Sequence, residues 1–245
     1  MSSKICLHID AQKLRKLHID GPALAVVMVE KSERLFPLRK LSRIHFTGTP
    51  EQGIEALVFC AQKHIPTTFF DGHGKIKALL YLPEESGTVL AHWLEMRYTD
   101  PAIAVIYDQW LENLRLHWQV DDAESERCKS QQDELVKSIK LLNLHEQWCA
   151  GKSWLDGIMR AQLMQCIDKF GLPAHTNEHR ELLDDIGRLM QKMLKHEYNH
   201  WFMGRRPRIL SGAHLANFYQ EFSEIVQCRT EVALSALQSA IAKIV

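Results

Sequence analysis

No two of the six cysteines stand close enough to form a CxxC pair. Cys6, Cys60, Cys128, Cys149, Cys166 and Cys228 are scattered over 245 residues. That spacing argues against a tetrahedral zinc site built on thiolates. It suits a reducing, cytoplasmic setting in which the thiols act as small apolar side chains. A run of about 18 apolar residues is also missing, so no membrane span is expected. The first residues, with Lys4 and soon Asp10, carry no apolar stretch of a secretory leader, and none is expected. Charge of one sign is missing as well. Thirty Lys and Arg balance thirty Asp and Glu, a net charge of zero before histidine. Any contact with nucleic acid therefore has to rest on a local basic patch. Internal repeats and low-complexity segments are absent. What is present is ordinary for a soluble globular protein, 46% hydrophobic and 24% charged. The length allows one large domain or two small ones, each with a core. Thirteen histidines are many; surface or satisfied core positions are the default reading for most of them.

The first third reads as β. A short alternating segment at 4–9 and further segments at 17–21, 23–30 and 41–46 predict strands, punctuated by Gly21-Pro22 and by Thr47-Gly48-Thr49-Pro50. After Pro50 the apolar residues Ile54, Leu57, Val58 and Ala61 recur at helical spacing, predicting a helix over 51–63. A strand over 67–70 follows. Asp71-Gly72-His73-Gly74 then predicts a tight hairpin turn, with both glycines relieving positive φ, and 76–82 closes the hairpin. From about Val89 helical periodicity takes over. Helices are expected over 102–120, up to about 149 after a polar break at 121–126, over 154–170, over 178–202 and over 213–245. Gly151-Lys152-Ser153 reads as a break with an N-cap, and 204–212 reads as a basic loop. Pro83-Glu84-Glu85-Ser86-Gly87 reads as a linker. The expected fold class is α+β: a small β-rich domain at 1–86 followed by an all-α domain at 87–245.

Several of these features recur in a known order. Leu41-Ser42-Arg43-Ile44, Thr47-Gly48, Gly53-Ile54-Glu55-Ala56-Leu57, His64-Ile65-Pro66 and Phe70-Asp71-Gly72-His73-Gly74 together resemble the N-terminal half of the Cas1 integrases, the CRISPR-associated proteins that insert new spacers. The resemblance implies a twisted β-sandwich-like domain used for homodimerisation. It implies a helical domain that holds duplex DNA and a divalent metal, Mg2+ or Mn2+, and a Cas2-like or other Cas partner. It also implies strand transfer, in which a DNA 3′-hydroxyl attacks a phosphodiester with metal assistance. Relatives place a Glu before a Gly, a His before a basic loop, and an acidic pair three residues apart. Here Trp154-Leu155-Asp156-Gly157 resembles the first element, with Asp156 in place of the Glu and about 1.5 Å less reach. His200 resembles the second, with His214 as a rival. The third element reads Asn217 and Gln220, two neutral amides, while Glu221 lies one residue beyond. The stretch between the first two elements is also short for the family. Two versions stand side by side. One is a compact integrase using Asp156, His200 and Glu221, with metal held by these, His214 and Asn217. The other is a catalytically inactive scaffold that keeps the fold and the DNA surface.

Other motifs compete. Gly204-Arg205-Arg206-Pro207-Arg208 places three guanidinium groups in five residues, a pattern that fits phosphate oxygens. Its bland alternative is a solvated loop. With the family resemblance, Arg205, Arg206, Arg208 and also Arg160, one helical turn past Asp156, are read as DNA contacts. Arg39, Lys40 and Arg43 are read as a solvated strand edge. His196-Glu197-Tyr198-Asn199-His200 spells HExxH, which on a helix pairs two imidazoles with a general base at a zinc ion. The motif is short among so many histidines, and Lys195 adds adverse charge, so a zinc hydrolase is the least favoured reading. Trp110, Trp118, Trp148, Trp154 and Trp201 are read first as packing residues. Cys149 beside His145 is read as a buried, inert cysteine.

Overall fold

The structure is a computed structural model that describes residues 4–82, 89–118, 137, 139, 144–172, 177–205, 210 and 212–243. Strands β1 (Ile5–Asp10), β2 (Leu14–Asp20), β3 (Ala23–Met28), β4 (Arg34–Pro37) and β5 (Leu41–Thr47) come first. Helix α1 (Ile54–Gln62), β6 (Thr67–Phe70) and β7 (Ile76–Leu80) follow. Then come α2 (Val89–Met96), α3 (Pro101–Trp118), α4 (His145–Lys169), α5 (Asn177–Arg205) and α6 (Gly212–Ile241). The class is α+β, as the sequence predicts. The strands form a four-stranded sheet in the order β1-β5-β6-β7 and a three-stranded antiparallel sheet β2-β3-β4. In the larger sheet β1, β5 and β6 are parallel, with α1 as the crossover between β5 and β6, and β7 returns antiparallel through the hairpin.

Register explains the core. Strand side chains alternate between faces, so pairing Leu7 with Ile44 and Ile9 with Phe46 puts apolar residues of β1 and β5 on one face. That face joins Leu17, Leu24 and Val26 of the smaller sheet and Leu57 and Cys60 of α1 in one buried cluster. Phe46 stacks on Phe69 at 5.5 Å within it. The same register pairs Cys6 with Arg43, His8 with His45 and Asp10 with Thr47 on the opposite face.

The chain divides into two units. One comprises Met1–Pro83, Ala150–Ala161 and Leu210–Phe222; the other comprises Glu84–Cys149, Gln162–Ile209 and Ser223–Val245. The first unit thus contains the β-rich part together with a middle segment of α4 and the start of α6. The second is helical. In it the Tyr107 hydroxyl donates to Asp185 at 2.9 Å, and the Arg97 guanidinium lies 3.9 Å from the centre of the Tyr107 ring. Burial, followed by the Asp185 charge, pushes the Tyr107 phenol well up. Trp110 donates to the Ala233 carbonyl at 2.9 Å, and Trp148 to Asn199 at 3.0 Å. Trp110, Trp148 and Trp154 are buried, as packing residues should be. Among the described residues no helix is long and apolar enough to cross a membrane.

Some local expectations change. β4, Arg34-Leu35-Phe36-Pro37, was not expected, because two of its four residues are Arg and Pro. It exists because β3 supplies the pairing, Val26 to Arg34 through Ala23 to Pro37. The break expected at Gly151-Lys152-Ser153 is not there: α4 runs through it without interruption. Ser153 does not cap a helix; its hydroxyl donates to the His73 carbonyl at 2.9 Å. Gly204 and Arg205 belong to α5 and not to a loop. Of the hairpin glycines, Gly74 alone has a positive φ, +81°. Arg43 is buried and not at a solvated edge, since its register with Cys6 turns it toward the polar face of the sheet. The expected linker at 83–87 and the polar break at 121–126 lie outside the described residues.

Candidate functional site

The hairpin that follows β6 seats the part of α4 that carries Asp156. Asp71 accepts from the amides of His73 and Lys75, both at 2.9 Å, which fixes the turn. These bonds, the Lys75 amide foremost, hold the Asp71 carboxyl below the usual range. Gly74 then packs directly on Trp154, and a side chain at Gly74 would run into the Trp154 Cα and indole. One turn along the helix, Gly157 meets the Gly74 carbonyl. The indole of Trp154 also meets Phe70 at 5.3 Å and His8 at 6.0 Å between ring centres. Asp156 stands between these anchored residues with its carboxylate partly exposed. It pairs with Arg160, one turn on, at 3.3 Å.

The start of α6 lies in the same unit. His214, Asn217 and Glu221 recur at helical spacing and are all exposed, so they share one outward stripe. Leu215, Ala216, Phe218 and Tyr219 are buried. Gln220 does not join the stripe. Its Oε1 accepts from the Cys6 amide at 2.8 Å, and its Nε2 donates to the Lys4 carbonyl at 2.9 Å.

The polar face of β1 and β5 is a feature that sequence reading missed. The Cys6 sulfur lies 3.3 Å from His45 Nδ1, and Thr47 Oγ1 lies 3.1 Å from His8 Nε2. His45 is almost wholly buried, with its ring edge-on to Phe70 at 5.2 Å. Burial, then the charges of Arg43 and His8, holds the His45 imidazole well below its ordinary range. Burial lowers His8 to about 4, against a smaller opposing pull from Asp10. It pushes the Cys6 thiol up to about 12, so that group stays protonated at neutral pH. The available signal was the period-two alternation of Cys6, His8 and Asp10 against Arg43, His45 and Thr47.

The other predicted residues belong to the helical unit. His200 lies on α5 with its side chain exposed, and Glu197 is exposed too. Between them Tyr198 and Asn199 are buried, the Tyr198 hydroxyl donating to the Trp148 carbonyl at 3.1 Å. The side chain of His196 lies outside the described residues, as do Arg206 and Arg208. Arg205 ends α5 with its guanidinium 5.8 Å from the centre of the Trp201 ring. Cys149 is exposed and not buried as expected, because it lies on an outward face of α4, with its sulfur 3.8 Å from His145 Nε2.

These placements bear on the divalent cation that the family resemblance implies. A hard dication takes several oxygen ligands, carboxylates foremost. Among the described residues, no three His, Cys, Asp or Glu side chains gather at one point. Asp156 is engaged by the Arg160 cation. Asn217 is a neutral amide, and the Gln220 amide is bonded to the backbone of β1. Among the described residues the donor set does not fit the cation.

Comparison with known proteins agrees with the fold. Residues 7–156 match the family model described as CRISPR associated protein Cas1. Among solved structures, a casposase bound to integration product has 10% sequence identity and a TM-score of 0.68, covering 96% of this chain and 91% of that one. A Cas1 protein from Thermotoga maritima has 13% identity and a TM-score of 0.62, covering 95% and 96%. A TtCas1–DNA complex has 11% identity and a TM-score of 0.58, covering 94% and 90%. No curated protein matches the sequence. The family model spans well over half of the chain, and the chain belongs to the Cas1 family of CRISPR-associated proteins.

Proposed function

We propose that this protein is an integrase-like, DNA-binding member of its family that holds duplex DNA in CRISPR adaptation as a scaffold and has lost metal-dependent strand transfer. One observation carries the loss: Gln220, at a position that is acidic in relatives, is hydrogen-bonded to the Cys6 amide in β1 and to the Lys4 carbonyl just before it. Asn217 adds a second neutral amide. Two missing negative charges weaken a cation site severely, because preorganised charge is the largest catalytic contribution in most enzymes. DNA binding is supported by family membership, and by solved structures of similar fold that include a casposase with its integration product and a Cas1–DNA complex. The proposed assembly is a homodimer through residues 1–86, with a Cas2-like partner and with DNA on the helical residues 87–245. Arg205 is partly held by its own Trp201 and offers its fork to phosphate, with Arg206, Arg208 and Arg160 as further contacts.

The test is a titration of fluorescent duplex and branched DNA with and without chelator, with the products run on a sequencing gel. The expected result is binding that chelator does not change and no joined or cut strands in Mg2+ or Mn2+. Manganese-dependent strand transfer that disappears in Asp156→Ala would instead establish the enzyme built on Asp156, His200 and Glu221. The double variant Arg205→Ala/Arg206→Ala is expected to weaken binding to all sequences alike. The slope of log affinity against log salt should fall by about 2, close to one for each lost phosphate contact. An unchanged slope removes these arginines from the interface.

A further inference from the structure

We propose that Gln220 is a two-sided clamp on the start of the edge strand β1, so that position 220 serves the fold and not a cation. β1 ends the sheet order β1-β5-β6-β7. In an edge strand the carbonyl of one residue and the amide two residues on face the same open side. Lys4 and Cys6 are such a pair, and the Gln220 side chain meets both, at 2.9 and 2.8 Å. A primary amide is the one side-chain group that reproduces a peptide here, with its oxygen toward N–H and its nitrogen toward C=O. A carboxylate at 220 could accept from Cys6 but would face the Lys4 carbonyl with a second acceptor. One lone pair of the Gln220 oxygen is already taken by the Cys6 amide and its nitrogen is held by the Lys4 carbonyl, so a dication could meet only the remaining lone pair of a neutral oxygen fixed in place.

The clamp also joins the elements that carry the candidate site. It fastens the start of α6 to β1, whose Cys6 lies on His45 and whose His8 touches Trp154, two residues before Asp156. Only the family correspondence of position 220 depends on the function proposed above; the bonds and their test do not involve DNA.

The experiment is amide hydrogen exchange at Cys6, with Mn2+ titration, on the full chain and on two variants. Gln220→Met keeps the volume and removes both bonds, and Cys6 exchange should accelerate roughly tenfold. Gln220→Glu keeps an acceptor for the Cys6 amide but sets a second acceptor against the Lys4 carbonyl, so at pH 7.5 its Cys6 exchange should fall between those of the parent and of Gln220→Met. Neither Gln220→Glu nor Asn217→Asp/Gln220→Glu should bind Mn2+ stoichiometrically. Unchanged Cys6 exchange in Gln220→Met overturns the clamp. A Gln220→Glu protein as protected as the parent at pH 7.5, or one that takes up stoichiometric Mn2+, overturns it as well. Should Gln220→Glu fail to fold, Gln220→Met decides alone.

Discussion

Gly157→Ala is expected to destabilise the protein by about 2 kcal/mol. Two effects oppose each other. Alanine in a helix interior is favoured over glycine by about 1 kcal/mol. Against that, a Cβ at 157 runs into the Gly74 carbonyl, and overpacking of this kind costs about 3 kcal/mol at the upper end of its usual range. Neither backbone can retreat cheaply. Gly74 is also packed on Trp154 of the same helix and holds a φ of +81°. The neighbouring turn is fixed by the Asp71 bonds to His73 and Lys75. The steric cost therefore exceeds the gain in propensity, and the melting temperature should fall by about 4–8 °C for a chain of this size. Gly72→Ala is the control, since an added Cβ there meets nothing within 4 Å, and its melt should stay within about a degree of the parent. If Gly157→Ala melts with the parent, the close seating of α4 on the hairpin is wrong, and so is the placement of Asp156 that depends on it.

The close Gly74–Gly157 contact also shows what a sequence can and cannot disclose. Asp71-Gly72-His73-Gly74 announces a turn, because a tight hairpin selects such residues by backbone energy alone. The strands β1, β3, β5 and β6 were legible for a similar reason: short apolar or alternating runs bounded by turn residues are local signals. Legible too was the change from strands to helices among the described residues from about Val89 onward. That Gly157 touches Gly74 was not legible, because the contact joins residues far apart in the chain and a helical glycine carries no local mark of its partner. Ser153 misled in the same way. As a hydroxyl after Gly151 it reads as a helix cap, and the carbonyl that claims it belongs to His73. β4 shows the converse, a sequence with weak strand character held by a neighbour. At the candidate site, Asp156, Asn217 and Gln220 were found through family resemblance. The use made of Gln220 was not, since its partners are backbone atoms of Lys4 and Cys6 that any residue would offer. Arg43 was misjudged because its single charge was weighed without its register partner Cys6.

The second large effect expected is loss of stability on mild acidification, between about pH 6.5 and 4. His8 and His45 lie on the polar face of the larger sheet and are held neutral by burial. For His45 the charges of Arg43 and His8 add to this, while Asp10 only partly opposes it at His8. An unfolded histidine takes a proton near pH 6.5. The folded state refuses it, down to about 4 for His8 and well below the ordinary imidazole range for His45. The unfolded state then binds more protons, so stability is full above about pH 6.5 and falls as the pH is lowered through that window. Each histidine contributes a slope of about 1.4 kcal/mol per pH unit, and His8 alone is worth on the order of 3 kcal/mol by pH 4. Urea midpoints at pH 7, 6 and 5 measure the effect in a range where most carboxylates have not yet titrated. His8→Gln and His45→Phe should each flatten the slope by about one proton, whatever they do to stability at pH 7. The slope, and not the midpoint, is decisive, because loss of packing against Trp154 or Phe70 lowers stability equally at every pH. A slope that survives both substitutions would mean that the two imidazoles take their protons in the folded state, and that the polar face of β1 and β5 admits water.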